Sequence, residues 1–110
     1  MDEENLVSEI YNSLSCKHEI TREFIRALVE SVKKFDQKQE VYSTNNISDS
    51  GELGLIIRIG DFLSEIKKYL SISKEKRQEL GLTEEKITKD FFNIGTYGTI
   101  AYIYRQGKWK

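Results

Sequence analysis

"TYGTIAYIYRQGKWK", residues 96–110, decides how the fold is read. Laid out as a strand, it puts Ile100, Tyr102 and Tyr104 on one face and Thr99, Ala101, Ile103 and Arg105 on the other. Gln106-Gly107 then makes a tight turn, and Lys108-Trp109-Lys110 returns as a short strand. In that register Arg105 pairs with Lys108, and Tyr104 lies opposite Trp109, a cross-strand aromatic contact that contributes about 0.2–1 kcal/mol. The rings are expected to complete a core. Turned outward, the same residues would suit single-stranded nucleic acid, since bases stack on rings and cations track phosphates.

Working back from this hairpin, Thr83 opens a helix carrying Ile87, Phe91 and Phe92, which is expected to end near Asn93 to Gly95. Ser73 starts a shorter helical piece, closed by Gly81 in the left-handed conformation and followed by Leu82. Asp61 is expected to cap a helix with Phe62, Leu63, Ile66 and Leu70. Ahead of it, "LGLIIRIG" (53–60) is apolar on both faces except for Arg58, which suits a covered strand. "QEVYST" (39–44) reads as its partner strand, and "NNISDSG" (45–51) supplies the turn-forming residues between them.

The first third is helical in pattern. Leu6, Val7, Ile10, Tyr11 and Leu14 recur every three or four residues, after an acidic start at Asp2, Glu3 and Glu4 that suits a helix dipole. Ile20, Phe24, Ile25, Leu28, Val29, Val32 and Phe35 form a second stripe, with Thr21 as its expected cap and Ile20 and Ile25 as a hydrophobic staple. "SLSCKHE" breaks the two apart, so they should form an antiparallel hairpin. The expected fold is one α+β domain over residues 1–110, ordered α-α-β-β-α-α-β-β, with an antiparallel sheet packed against helices.

Composition narrows the function classes. Seventeen basic and eighteen acidic side chains leave a net charge of −1, so no global charge suggests nucleic acid or membrane. The distribution is uneven: residues 1–52 hold eleven carboxylates against six cations, and residues 53–110 hold seven against eleven. Cys16 is the only cysteine, which rules out an internal disulfide and points to a reducing compartment. With an acidic N-terminus and no long apolar run, a cytoplasmic location without membrane contact is expected.

No catalytic set is legible. Cys16 and His18 stand two apart in a turn, without a third group to orient them or further ligands for zinc. Glu65-Ile66-Lys67 and Glu84-Glu85-Lys86 spell the acid-x-lysine triplet of some nucleases, but on helical patterns positions two apart diverge by about 200°. No phosphate-binding glycine motif is present. The chain is therefore expected to be non-enzymatic, without metal or cofactor.

The leading expectation is a small protein that binds another protein, such as an immunity or antitoxin protein or a phage-type inhibitor. It would act through an acidic surface of Glu19, Glu23, Glu30, Asp36, Glu40, Asp49 and Glu52, steering toward a basic target. The alternative is a nucleic-acid-binding or regulatory module using Arg58, Lys67, Lys68, Tyr102, Tyr104, Arg105, Lys108, Trp109 and Lys110.

Overall fold

The computed structural model describes residues 2–41 and 45–109. Among the described residues there are five helices and no strand: α1 (Glu3–Ser13), α2 (Ile20–Gln39), α3 (Asn45–Ser71), α4 (Lys74–Glu79) and α5 (Glu84–Arg105). The fold is all-α, and the expected sheet is not formed. The helices fall into two compact units, Met1–Val41 and Tyr42–Lys110.

In the first unit α1 and α2 form the antiparallel hairpin that the sequence pattern predicts. Asp2 caps α1, its Oδ1 accepting from the Asn5 amide at 2.8 Å. The helix ends in a Schellman motif: the Ser15 amide donates to Asn12, and that of Cys16 to Tyr11, with Ser15 at φ +56°. Helix α2 begins at Ile20, one residue before the expected cap Thr21, and has no side-chain cap. Val7, Tyr11 and Ile25 make the buried centre, with Ile10, Cys16 and Val29 packed around it. The polar contacts run in opposite chain directions, Arg22 to Ser8 and Arg26 to Glu4, which fixes the antiparallel sense.

In the second unit α3 and α5 pack antiparallel. Leu55, Arg58, Ile59, Phe62, Ile66 and Tyr69 turn inward on α3, spaced three and four apart as one helix face demands. Ile87, Asp90, Ile94, Tyr97, Ile100 and Tyr104 do the same on α5. Phe62 and Tyr97 stack with ring centroids 5.9 Å apart, and Arg58 donates to the Tyr97 hydroxyl at 3.1 Å. Leu55 is completely buried, and such a side chain contributes about 1.5–3 kcal/mol. Ser73 and Thr83 cap α4 and α5 as their sequence positions predict, accepting from Lys76 and Lys86 amides at 3.1 and 3.2 Å. Gly81 at φ +71° closes α4.

Three expectations fail for a common reason. Residues 53–60 lie inside α3, where Asp61 is a mid-helix residue and not a cap. Their two apolar faces belong to a helix that is apolar on two sides. "NNISDSG" is not a loop but the start of α3, interrupted where Gly51 turns to φ +65°, ψ −163°. Of "QEVYST", Gln39 ends α2, Glu40 and Val41 follow it, and 42–44 lie outside the described residues.

The terminal hairpin is likewise the last three turns of α5, which runs ten residues beyond the expected end at Gly95. Gly107 at φ +72° sits at the position a Schellman motif requires: its amide donates to Tyr104 and that of Lys108 to Ile103. A left-handed glycine serves a hairpin turn and a helix end equally, so Gln106-Gly107 misleads. No cross-strand pair of Tyr104 with Trp109, or of Arg105 with Lys108, exists.

Gly51 carries the break in α3. Its φ and ψ fall in a region open essentially to glycine alone, and a Cβ there would stand 3.5 Å from the Tyr104 hydroxyl. Gly54 is held by close approach, since a Cβ would meet that of Ser50 at 2.5 Å. Gly51→Ala should destabilise the fold by about 1–3 kcal/mol in urea denaturation; an unchanged midpoint would mean that the break is not part of the native state.

Candidate functional site: apolar helix faces and a buried carboxylate

Helix α3 is apolar on a second side. Leu53, Ile56, Gly60, Leu63, Lys67 and Leu70 follow one another at spacings of three and four, and Leu53, Ile56, Leu63 and Leu70 are exposed, with Ile57 beside them. A 3-4 alternation of this kind is the seam by which one helix receives another. The inward seam, offset around the same helix, is covered by α5. Helix α2 repeats the arrangement: Phe24, Leu28 and Val32 are exposed along one line while Ile25 is buried against α1. Isolated exposed apolar residues are ordinary, but aligned ones mark contact surfaces.

The acidic residues singled out from the sequence are placed differently from a free patch. Glu19, Glu23 and Glu30 share one face of α2, and that face also carries Arg26, Lys33 and Lys34. Glu19 pairs with Arg22 at 3.3 Å, Glu23 with Arg26, and Glu30 with Lys34 at 3.1 Å. Arg26 also grips Glu4 of α1 with two bonds, at 2.8 and 2.9 Å. That hydrogen-bonded guanidinium holds the Glu4 carboxyl below its ordinary pKa. Asp36 and Glu40 lie exposed near the end of α2, and Asp49 is exposed at the start of α3. Glu52 pairs with Arg105 at 3.5 Å.

The basic and aromatic set does not converge. On a helix Tyr102 and Tyr104 diverge by about 200°; Tyr102 is exposed, whereas Tyr104 is half-buried beside Gly51. Arg58 is engaged with Tyr97, Arg105 with Glu52, and Trp109 is half-buried. Lys67, Lys68 and Lys108 are exposed, and Lys110 lies outside the described residues. His18 is exposed and Cys16 half-buried against the first core.

One group escaped the sequence pattern. Asp90 sits on the inward stripe of α5 between Ile87 and Ile94, is only 5% exposed, and its Oδ2 has no hydrogen-bond partner. Burial pushes its pKa up to about 6, with the hydrogen-bonded carboxyl of Glu65 adding to the rise and Lys86 opposing it. Lys86 in turn pairs with Glu65 at 3.4 Å. The signal was present in the spacing: a carboxylate at a stripe position three residues after one isoleucine and four before another. Two carboxyls and one ammonium can share a proton here, but the described residues contain no group of three or more His, Cys, Asp or Glu able to hold a metal.

At the same end of the α3–α5 pair, beyond Glu65 and Lys86, an open cleft of about 640 Å³ is lined by residues including Tyr69, Lys74, Arg77, Leu82 and Thr83. Its guanidinium is already committed. Arg77 lies 4.0 Å over the Tyr69 ring and donates to the Tyr69 carbonyl at 2.6 Å, locking the α3–α4 corner.

Comparison with protein-family models, curated proteins and solved structures finds no match to this chain. No described helix is long and apolar enough to cross a membrane.

The Asp90 carboxyl gives a pH dependence of definite sign. Its native pKa lies above the unfolded value of 3.8, so the native state holds a proton that the unfolded chain has released. The associated stability is fully present below pH 3.8 and is lost as pH rises through about 6. Denaturation midpoints should therefore fall as pH rises from 3.8 through about 6 in the native chain. Asp90→Asn should flatten that slope and stabilise the protein at pH 7 by about 1 kcal/mol; a parallel slope in both chains would refute the assignment.

Proposed function

We propose that this chain is a non-enzymatic protein-binding module whose exposed α3 seam receives an amphipathic helix of another protein. The observation that carries the proposal is the seam itself: four exposed leucine and isoleucine side chains, Leu53, Ile56, Leu63 and Leu70, at spacings of three, seven and seven along one line of α3. From Leu53 to Leu70 it runs about 26 Å, enough for five turns of a partner helix. Helix-in-groove recognition reads such anchors at i, i+3, i+4 and i+7.

The acidic residues have a secondary part in this proposal. Glu19, Glu23 and Glu30 are neutralised by neighbouring cations, so they contribute long-range steering more than direct contacts. An inhibitor or antidote that occupies a target protein without chemistry fits these features. The single cysteine and balanced charge suit work in the cytoplasm. Nucleic-acid binding has less support, because Tyr102 and Tyr104 diverge on α5 and Arg58 and Arg105 are engaged with Tyr97 and Glu52.

The test is affinity purification of the tagged chain under native expression, followed by titration of the recovered partner. Ile56→Asp and Leu63→Asp should weaken binding by about tenfold or more while helix content is retained. Glu23→Gln, on the ion-paired face, should change it by no more than about twofold. Recovery of no protein partner, or a partner indifferent to both seam substitutions, would overturn the proposal.

A further inference from the structure

Helix α5 carries a line of four residues on its outward side: Phe91, Gly95, Gly98 and Tyr102, at spacings of four, three and four. Phe91 is 58% exposed and Tyr102 65%. Both glycines are exposed, with nothing within 4 Å of where a Cβ would stand. A glycine inside a helix costs about 1 kcal/mol relative to alanine, and no contact among the described residues calls for one at either position. Two bare backbone positions framed by exposed rings form a saddle into which a second helix backbone can settle.

The pattern also says what that helix is. A spacing of four, three and four is the same read from either end. A two-fold axis through the midpoint between Gly95 and Gly98 sets Phe91 of one copy against Tyr102 of the other and Gly95 against Gly98, which is the self-complementarity of an isologous contact. Charge follows the same symmetry. The first turn of α5 holds Glu84 and Glu85, and its end holds Arg105 with Lys108 just beyond. Antiparallel pairing sets each acidic turn opposite the basic end of the copy, and it aligns the helix dipoles favourably as well. Parallel pairing would set like against like.

We infer that the outward face of α5 joins two copies of this chain in an antiparallel two-fold dimer. Phe91 of each copy packs on Tyr102 of the other, and the glycines meet at the crossing. This contact is separate from the α3 seam, so the dimer leaves that seam open to a different partner.

Sedimentation velocity of the native chain over a concentration series tests it. A reversible monomer–dimer equilibrium is expected. Gly95→Ala combined with Gly98→Ala should raise the thermal stability of the monomer while weakening dimerisation about tenfold or more; a purely structural role for the glycines would move only the first readout. Leu63→Asp should leave the dimer intact, which separates this contact from seam binding. In a Cys16→Ser background, Phe91→Cys and Tyr102→Cys chains should be joined by a short bis-maleimide only when the two are mixed. A chain that stays monomeric into the millimolar range, a dimer unmoved by the alanine pair, or self-linking of either cysteine variant alone would overturn the inference.

Discussion

The second unit depends on the antiparallel packing of α3 against α5. Leu55, Ile66, Ile87 and Ile100 are buried there, and the features of functional interest in this unit are positioned by that contact. It fixes which side of α3 is covered and which is left open, and it carries Asp90 into the interior. It also brings the Tyr104 hydroxyl up to Gly51, where the α3 backbone breaks. Helices without a partner of this kind are marginal in water, because their stability comes from covering an apolar stripe. Helix α3 has more such surface than α5 can cover, and the excess forms the seam.

Charge is organised in the opposite sense. In the α1–α2 hairpin the acids and bases mostly answer one another across short distances, with Arg26 bridging Glu4 and Glu23. Exposed pairs of this type contribute about 0–1 kcal/mol each, so they set register more than stability. The buried carboxylate differs. Asp90 is buried at a stripe position between Ile87 and Ile94 and faces Glu65, and its proton is part of how the helix pair fits together at acid pH. Its deprotonation introduces a charge into the interior that Lys86, already paired with Glu65, offsets only in part.

Some features were legible from local sequence because they are local in origin. Ser73 and Thr83 cap helices through bonds to amides three residues on, and Gly81 ends α4 through its own left-handed backbone, whereas the caps expected at Thr21 and Asp61 are not formed. The apolar stripes of α1 and α2 likewise follow from period alone. The C-terminal half was misread where two periods fit the same residues. Ile100, Tyr102 and Tyr104 alternate like a strand, yet Tyr97, Ile100 and Tyr104 also mark one helix face. Gly107 terminates either structure. "LGLIIRIG" is apolar on both faces, but a helix with two seams produces that pattern as well as a covered strand does.

The sequence by itself determined the caps at Ser73 and Thr83, the hairpin of α1 and α2 and the uneven charge, since each depends on residue type and short spacing. Only the tertiary structure decided that residues 45–60 and 96–105 belong to the helices α3 and α5, because the choice between periods is made by what packs against the segment. The same packing made Asp90 a buried acid, separated Tyr102 from Tyr104, and left the α3 seam and the glycine saddle of α5 uncovered. Burial is a property of neighbours distant in the chain, and no local pattern contains it.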